Sequence, residues 1–379
     1  MASRTQNPFR FGDPVQGDFY MPLPNFDRTV LQFIDNRIHT VLIGPRRFGK
    51  TSFVLRLLEE LEASGKVCLF VDIFNITSHR DFLQQILRAL RSKKTWQEKL
   101  RGWIETIPRL RPKLIMESDV ATGLPSFSLS TDITDDKDVK ETILDVFAAI
   151  ERLGEHVVVA IDEFQKIAEI DDGGWLEATL RTQMQQLPNT TFLYTGSRKS
   201  VISDMLNNQS RPFYRSCQTL EFPSFGEEFI DWITGRFALV GVECDRDALL
   251  QLQREVQNTP NYMQMACFHL VAMGVSKVTQ REVAKVLRVM VSQNAYAYQT
   301  LLNSLTAIQQ RSLRLAAKVG SQIFSKDVLE RYEIPSGAAL ASSIKSLKDK
   351  EILDEGSARG IVVFDDPLFA IWLRVEFSD

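Results

Sequence analysis

A short apolar run that breaks into a glycine-containing loop and restarts as a helix constrains this 379-residue chain more than any other feature. Residues 41–43 are apolar and predict a buried strand, and the next nine residues read G-P-R-R-F-G-K-T-S. The spacing G-x-x-x-x-G-K-[ST] between a strand and a helix is that of the phosphate-binding P-loop. Glycines allow backbone N–H groups to wrap phosphate oxygens, and the N-terminus of the following helix adds partial positive charge.

This loop predicts ATP and Mg²⁺ as cofactors. Lys50 is expected to place its ammonium on the β- and γ-phosphates, and the Thr51 hydroxyl is expected to ligate the metal. A chance glycine-rich turn between a strand and a helix is the alternative. The predicted loop contacts are Gly44, Pro45, Arg46, Arg47, Phe48, Gly49, Lys50, Thr51 and Ser52.

A second motif, VVVAIDEFQKI at residues 157–167, delivers two carboxylates at the end of an apolar strand. Ligands of open α/β sheets collect at the carboxyl ends of the strands, where the P-loop also lies. Asp162 is therefore predicted to hold Mg²⁺, directly or through water, and Glu163 to be the base that orients the attacking water. A helix N-cap or a loop ion pair is the alternative for either carboxylate. The paired Glu163, with a strand at 66–73 between the two motifs, favours ATP hydrolysis over phosphoryl transfer to a small molecule.

A predicted fourth strand at 191–195 ends in a group of polar residues where a γ-phosphate sensor would reach in. Thr195, Ser197 and Arg198 lie there, and Arg198 is counted with Glu163 and Lys50 as catalytic because it could stabilise charge on the transferring phosphoryl group. A solvated arginine is the alternative. Three more arginines are candidates for a finger offered to a neighbouring subunit: Arg181, Arg211 and Arg215.

Strands that alternate with helices predict an α/β fold with a parallel sheet, and the P-loop with the extra strand before the paired Glu163 indicates the ASCE type of P-loop NTPase. The predicted domains are an extended leader at 1–25, an ATPase domain at 26–225 with an insertion at 92–137, a helical lid at 226–298 and a winged helix at 299–379. A hairpin is expected within 126–134, and the lid is expected to be purely helical. Three helices and a two-stranded wing, at 352–353 and 361–364, are expected in the last domain.

Composition excludes several classes of protein. A net charge of −3 argues against bulk binding to nucleic acid, although a local basic patch stays open. Four scattered cysteines without metal-ligand spacing predict reduced thiols and a cytoplasmic protein. No apolar run approaches the roughly 20 residues that span a bilayer, and the N-terminus lacks the apolar segment of a signal peptide, so no membrane partner is expected.

Taken in order, these motifs resemble the archaeal-type ATPases, in the STAND branch of AAA+-like P-loop proteins. The resemblance rests on N-P-F and V-x-G-D-F-Y in the leader, GPRRFGKTS, FVDIFN, AIDEFQKI, TGSRKS, RPFYR, TPNYMQ and DPLFAIWLR. It implies that Pro260 is a lid proline that approaches the nucleotide, and that the C-terminal region is a winged helix. Asn258 stands where the family usually has glycine two residues before this proline, and asparagine tolerates the left-handed conformation. The leader also lacks the family's Gly-Arg pair after Tyr20, which leaves base contact from the leader open.

Three functions remain open at this point. The favoured one is an ATP-hydrolysing switch in a regulatory or defence role, whose nucleotide state controls conformation or self-association and whose protein partner or effector is unknown. The others are a DNA-associated ATPase and a nucleotide-binding scaffold with negligible turnover. DNA binding is less favoured because acidic residues offset the basic ones. The basic residues of the presumptive recognition helix and wing are Lys345, Lys348, Lys350 and Arg359, and the acidic ones are Asp349, Glu351, Asp354 and Glu355.

Overall fold

The computed structural model describes residues 6–91, 114–118, 125–129, 135–170, 174–319, 323–355 and 362–377. The chain forms two compact units. The nucleotide unit comprises Pro22–Pro45 and Gly49–Pro223, and the C-terminal unit comprises Met1–Met21, Arg46–Phe48 and Ser224–Asp379. The four-part domain division expected from the sequence stays a prediction.

The nucleotide unit alternates strands and helices over most of its length. In chain order, its described elements are α1 (Pro24–Asp35), β1 (Thr40–Ile43), α2 (Lys50–Ala63), β2 (Val67–Asp72), α3 (His79–Arg91), β3 (Leu114–Ser118), β4 (Pro125–Leu129), α4 (Asp136–Glu151), β5 (Val157–Asp162), α5 (Lys166–Ile170), α6 (Trp175–Gln186), β6 (Thr190–Gly196), α7 (Lys199–Asn207) and β7 (Gln218–Glu221).

Five parallel strands form the central sheet, in the order β2-β5-β6-β1-β7. Every residue of β1, β5 and β6 is buried, so both faces of the sheet are covered along these strands. Strands buried on both faces have continuous apolar runs without alternation, which is how they read in the sequence. The predicted parallel α/β fold is confirmed, and the carboxyl ends of β1, β5 and β6 lie side by side.

Aromatic rings fill the core next to β5 and β6. Phe164, Phe192, Tyr194 and Phe213 are fully buried, and the Phe164 ring lies 4.4 Å from that of Tyr194 and 4.9 Å from that of Phe213. Rings at these separations add to the stabilisation that burial itself provides. The segment that follows β5 is thereby fixed against β6.

The hairpin expected within 126–134 begins earlier. β3 and β4 pair antiparallel, with Leu114 opposite Leu129, so residues 126–129 supply only its second strand. The alternating pattern of residues 126–134 predicts a strand but does not identify its partner, because the partner, residues 114–118, has no comparable pattern. Residues 130–134 and the basic run at 109–113 lie outside the described residues.

The C-terminal unit is mainly helical. In chain order, its described elements are α8 (Glu227–Ala238), β8 (Glu243–Cys244), α9 (Arg246–Glu255), α10 (Pro260–Ala272), β9 (Lys277–Val278), α11 (Gln280–Asn303), α12 (Ala307–Lys318), α13 (Lys326–Arg331), α14 (Gly337–Asp349), β10 (Leu353–Glu355), β11 (Val362–Phe364) and α15 (Pro367–Glu376).

Three details of this unit differ from expectation. The region 226–298 is not purely helical, because β8 and β9 form a short parallel ladder. α11 is one continuous helix across residues 298 and 299, where a domain division was predicted. A further helix, α15, follows the wing strands β10 and β11. All of its first seven residues are buried, so it has no amphipathic periodicity that would predict it.

Most of the leader, Met1–Met21, belongs to the C-terminal unit. Phe9 is fully buried and its ring lies 4.6 Å from that of Phe237 on α8. The guanidinium of Arg236 donates to the carbonyl of Pro8 at 2.9 and 3.1 Å. Partners far along the chain thus hold the leader. Among the described residues, no helix combines the length and the apolar character that crossing a bilayer requires.

Candidate active site

The P-loop follows directly from β1, and two of its glycines meet geometric requirements. A Cβ on Gly44 would lie 2.8 Å from the Cβ of Phe222, and Gly49 adopts the left-handed conformation with φ of 91°. Lys50 begins α2 and is 5% exposed. Its ammonium donates to the carbonyls of Gly44 and Pro45, each at 2.8 Å. The Lys50 side chain therefore lies along the predicted phosphate-binding loop, and its residue begins a helix whose N-terminus favours anions.

The Asp162 carboxylate joins the P-loop helix to the end of β5. Thr51 donates its hydroxyl to Oδ2 of Asp162 at 2.6 Å. The other oxygen, Oδ1, accepts from the hydroxyl of Thr195 and from the backbone N–H of Glu163. Asp162 is 5% exposed, and these donors are neutral groups. A nearby positive charge stabilises a buried carboxylate, and oxygen atoms such as those of hydroxyls and carboxylates are the ligands that Mg²⁺ prefers. The residues present therefore fit the predicted metal.

Glu163 turns its carboxylate toward the end of β6. Its φ is 59°, in the left-handed region that few side chains adopt. Oε2 of Glu163 accepts from the hydroxyl of Ser197 at 2.9 Å and from the side-chain amide of Gln165. β5 and β6 are neighbouring parallel strands, so the residues that follow them meet at one edge of the sheet. The predicted base and the predicted sensor hydroxyl are thus in direct contact.

Arg198 is held by an ion pair in this structure. Its guanidinium lies 2.8 Å from the Glu169 carboxylate, which also pairs with Lys166 at 2.6 Å. Burial by itself would raise the pKa of Glu169, but the hydrogen bonds and charges of Lys166 and Arg198 together lower it. A role for Arg198 at the γ-phosphate requires that it exchange Glu169 for the phosphate.

The three finger candidates occupy different surroundings. Arg211 lies 2.7 Å from Glu177, whose side chain is 2% exposed, so it ties its loop to α6. Arg181 is on α6, and its charge acts on His39 at the amino end of β1. Arg215 is exposed, with φ of 50°. The structure thus leaves Arg215 as the exposed member of this trio.

Three P-loop residues group with the C-terminal unit. Arg46 forms a 2.6 Å ion pair with Glu351. Arg47 donates to the Tyr262 hydroxyl, and its guanidinium lies 5.0 Å from the centre of that ring. Phe48 is half-buried. The side chains of Arg46 and Arg47 are therefore bound by protein groups.

The turn before Pro260 survives without glycine. Asn258 adopts φ of 55°, as its tolerance of the left-handed conformation predicts. Its side-chain oxygen accepts from the amide of Gln253 at 2.8 Å, which fixes the turn. Pro260 then opens α10 at a position where its missing N–H costs nothing. The approach of Pro260 to a nucleotide stays a prediction.

Sequence reasoning assigned no role to two residues that touch the predicted site. Gln165 contacts both Glu163 and Ser197, and Glu169 binds Arg198. Gln165 gave no signal of burial, because it stands between Phe164 and Lys166 at the start of a short helix. Glu169 gave none either, because an acidic residue on a short surface helix is common.

Comparison with known proteins agrees with this arrangement. Residues 30–223 match the family described as an ATPase domain predominantly from Archaea, and residues 296–375 match a probable winged helix domain. A protein of Methanocaldococcus jannaschii described as an uncharacterized ATP-binding protein is 27% identical over 162 residues, which are 40% of this chain and 44% of that protein's length.

Two solved structures share the fold. The Walker-type ATPase of Pyrococcus abyssi superposes with a TM-score of 0.65 at 17% identity, covering 94% of this chain and 97% of that one. The ORC2 protein of Aeropyrum pernix, solved as ADPNP–ADP complexes, gives 0.52 at 16% identity, with 94% of both chains covered. These likenesses confirm the P-loop NTPase fold.

The matched ATPase region contains the P-loop and both carboxylates of the second motif, and it spans more than half of the sequence. The chain therefore belongs to the family of ATPase domains found predominantly in Archaea, and it carries a probable winged helix domain behind its nucleotide-binding ATPase domain.

Proposed function

We propose that this protein is a Mg²⁺-dependent, ATP-hydrolysing molecular switch of the STAND type. The observation that carries the proposal is the contact of Thr51, at the start of the P-loop helix, with Asp162 at the end of β5. This contact places the predicted phosphate loop and the carboxylate pair at one edge of the sheet, where open α/β folds bind their ligands.

Each residue of the site has a distinct part in the proposed reaction. Lys50 and the N-terminus of α2 hold the β- and γ-phosphates. Thr51 and Asp162 would hold Mg²⁺, which when bound neutralises charge that develops on the phosphate oxygens. Glu163 accepts a proton from a water molecule, and the oxygen of that water forms a bond to the γ-phosphorus. The bond between the γ-phosphorus and the β–γ bridging oxygen breaks, which yields ADP and phosphate.

The switch would read the γ-phosphate through the residues that follow β6. Ser197 has one proton to donate, and Arg198 has a partner, Glu169, that it can exchange for phosphate. The nucleotide state would then set conformation or self-association in a regulatory or defence role, through a protein partner or effector. None of the four cysteines, all of which the structure describes, forms a disulfide, which supports a reducing compartment such as the cytoplasm.

The hydrolysis proposal is tested by phosphate release from three single variants. Lys50→Ala should lose nucleotide binding and turnover together. Glu163→Gln should retain binding of ATP while its turnover falls by about 100-fold or more, because it removes the base but not the phosphate contacts. Glu155→Gln is the matched control: this exposed glutamate precedes the same strand at its other end, and turnover should not change.

Two results would decide against this function. Full turnover in Glu163→Gln would remove the proposed base. Wild-type protein that binds ATP but releases no phosphate above the background rate would leave the nucleotide-binding scaffold as the function. The DNA-associated ATPase is the remaining alternative; the match to a probable winged helix domain supports it, and the surface of α14 argues against it, as discussed below.

A further inference from the structure

Gln165 is a buried amide at the centre of the proposed catalytic edge. It is 1% exposed, and its Nε2 donates both to Oε2 of Glu163 and to Oγ of Ser197, the latter at 3.3 Å. Ser197 donates its own proton to the same glutamate oxygen at 2.9 Å. The three side chains therefore form a closed triangle in which Glu163 receives two hydrogen bonds. The reverse orientation of the amide would set its oxygen against the carboxylate, so the donating orientation is required.

The backbone around Gln165 is built to admit this side chain. The N–H of Phe164 donates to the carbonyl of Thr195 at 2.8 Å, which ties the segment after β5 to β6. A Cβ on Gly196 would lie 2.5 Å from Oε1 of Gln165 and would also overlap Ile202. Gly196 has no unusual backbone conformation, so its missing side chain serves the close approach of these neighbours.

The other end of the amide is not satisfied. Oε1 of Gln165 is buried and has no hydrogen-bond partner in the described part of the chain. A buried acceptor without a partner is costly, and an apolar side chain of similar size would avoid that cost. What glutamine adds at this position is therefore the donation of Nε2 to Glu163 and Ser197.

We propose that Gln165 is a positioning residue that couples the state of Ser197 to the base Glu163, an inference that rests on the proposed function. The Ser197 hydroxyl has one proton, which it can give to Glu163 or to a γ-phosphate oxygen but not to both. When ATP takes that proton, Glu163 loses one of its two hydrogen bonds. The bond from Gln165 remains, and it keeps the Glu163 carboxylate oriented toward the attacking water.

Two variants of Gln165 test this through kcat and KM. Gln165→Leu should lower kcat by about 10-fold or more with KM for ATP changed less than about twofold, because orientation of the base contributes to the transition state and not to binding. Gln165→Glu keeps the shape but replaces the donating amide with a carboxylate, which has no N–H to donate to Glu163. It should lower kcat as Gln165→Leu does, with KM for ATP again changed less than about twofold.

A double-mutant cycle separates coupling from a merely structural role. The double variant that combines Gln165→Leu with Ser197→Ala should lower kcat by less than the product of the two single fold-losses, because both side chains act through Glu163. Independent, multiplicative effects would overturn the inference. An unchanged kcat in Gln165→Glu would overturn it as well, and this variant retains the size of the wild-type side chain if Gln165→Leu fails to fold.

The failure of this inference can be told apart from failure of the proposed function. If Glu163→Gln retains turnover, the base assignment is wrong and the role of Gln165 falls with it. If Glu163→Gln is inactive while both Gln165 variants keep the wild-type kcat, only the positioning role is wrong.

Discussion

Asp162 and Glu163 are adjacent in sequence, yet their carboxylates serve different partners. Asp162 ends β5 and faces the hydroxyls of Thr51 and Thr195, whereas the left-handed backbone of Glu163 turns its side chain toward Ser197. A non-glycine residue in that conformation is strained, and such strain is found where the surroundings impose it. The division of labour expected of the pair, with one carboxylate for a metal and one for a water, thus has a backbone cause.

His39 gives a pH dependence that can be assigned to a single residue. Its Nδ1 accepts from the N–H of Phe192 at 3.1 Å, so the ring carries its proton on Nε2 and donates it to the carbonyl of Met184 at 2.9 Å. Burial lowers the pKa of His39 from 6.5, although the hydrogen bond to Met184 opposes this. Protonation of Nδ1 would set two N–H donors against each other.

Because the pKa of His39 is lowered in the folded protein, the free energy of unfolding should depend on pH. Below pH 6.5 the unfolded chain binds a proton at His39 more readily than the folded chain does. The contribution of neutral His39 to the free energy of unfolding is therefore complete above pH 6.5 and falls as the pH drops toward the folded-state pKa. The loss from one proton is at most about 1.4 kcal/mol per pH unit. Chemical denaturation between about pH 5 and about pH 8 measures the free energy of unfolding as a function of pH. Its slope should be shallower for His39→Gln, which does not titrate, than for wild type. Identical slopes would mean that His39 is protonated in the folded protein at no cost in free energy.

At the scale of secondary-structure elements, the strands of the sheet were predictable and their order was not. β1 and β5 are apolar runs that end in chemistry-bearing residues, so local pattern located them. The order β2-β5-β6-β1-β7 depends on pairing between segments far apart in sequence, which a single sequence does not record. The P-loop and the carboxylate pair were accessible because each is a contiguous motif. The contact of Gln165 with Ser197 was not, because it depends on how closely β5 and β6 approach at Gly196.

The element that decides DNA recognition is α14, the presumptive recognition helix of the winged domain. Its exposed residues are small and uncharged over the first turns, and one lysine and one aspartate follow toward its end. The exposed residues are Ala338, Ala341, Ser342, Lys345 and Asp349. Base edges are read by arginine, lysine, asparagine and glutamine, and phosphates by clustered positive charge. The exposed face of α14 supplies one lysine next to an aspartate, which is weak provision for either.

We therefore expect no saturable binding of duplex DNA below about 10 µM at physiological salt, with or without ATP. Fluorescence anisotropy of a labelled duplex measures this directly. The variant with Lys345→Glu and Lys348→Glu should give the same weak signal as wild type. Tight binding that weakens steeply with salt and is lost in that variant would instead establish the DNA-associated ATPase.

At the scale of the whole molecule, the position of Arg215 bears on whether one chain completes its own site. β1 and β7 are parallel with Thr40 opposite Gln218, so Arg215 lies just before the amino end of β7. The proposed active site lies at the carboxyl end of β1, one strand length or about 13 Å away. The N–H of Arg215 donates to the carbonyl of Leu206, which fixes the backbone there. An exposed arginine at the opposite edge of the sheet cannot serve its own γ-phosphate, but it can serve that of a second copy.

Self-association driven by nucleotide is the resulting prediction. Wild-type protein with Mg²⁺ and a non-hydrolysable ATP analogue should have a mass in solution above that of the monomer. Arg215→Ala should lower the rate of ATP turnover and still bind nucleotide. The control is Arg28→Ala, which changes another exposed arginine of the same unit and should leave turnover unchanged. Because Arg215 would act on a neighbour, mixing inactive Lys50→Ala with Arg215→Ala should restore turnover: the former supplies the arginine and the latter the intact P-loop. A monomer mass in every nucleotide state, together with no recovery on mixing, would show that each chain hydrolyses ATP without a finger from a partner.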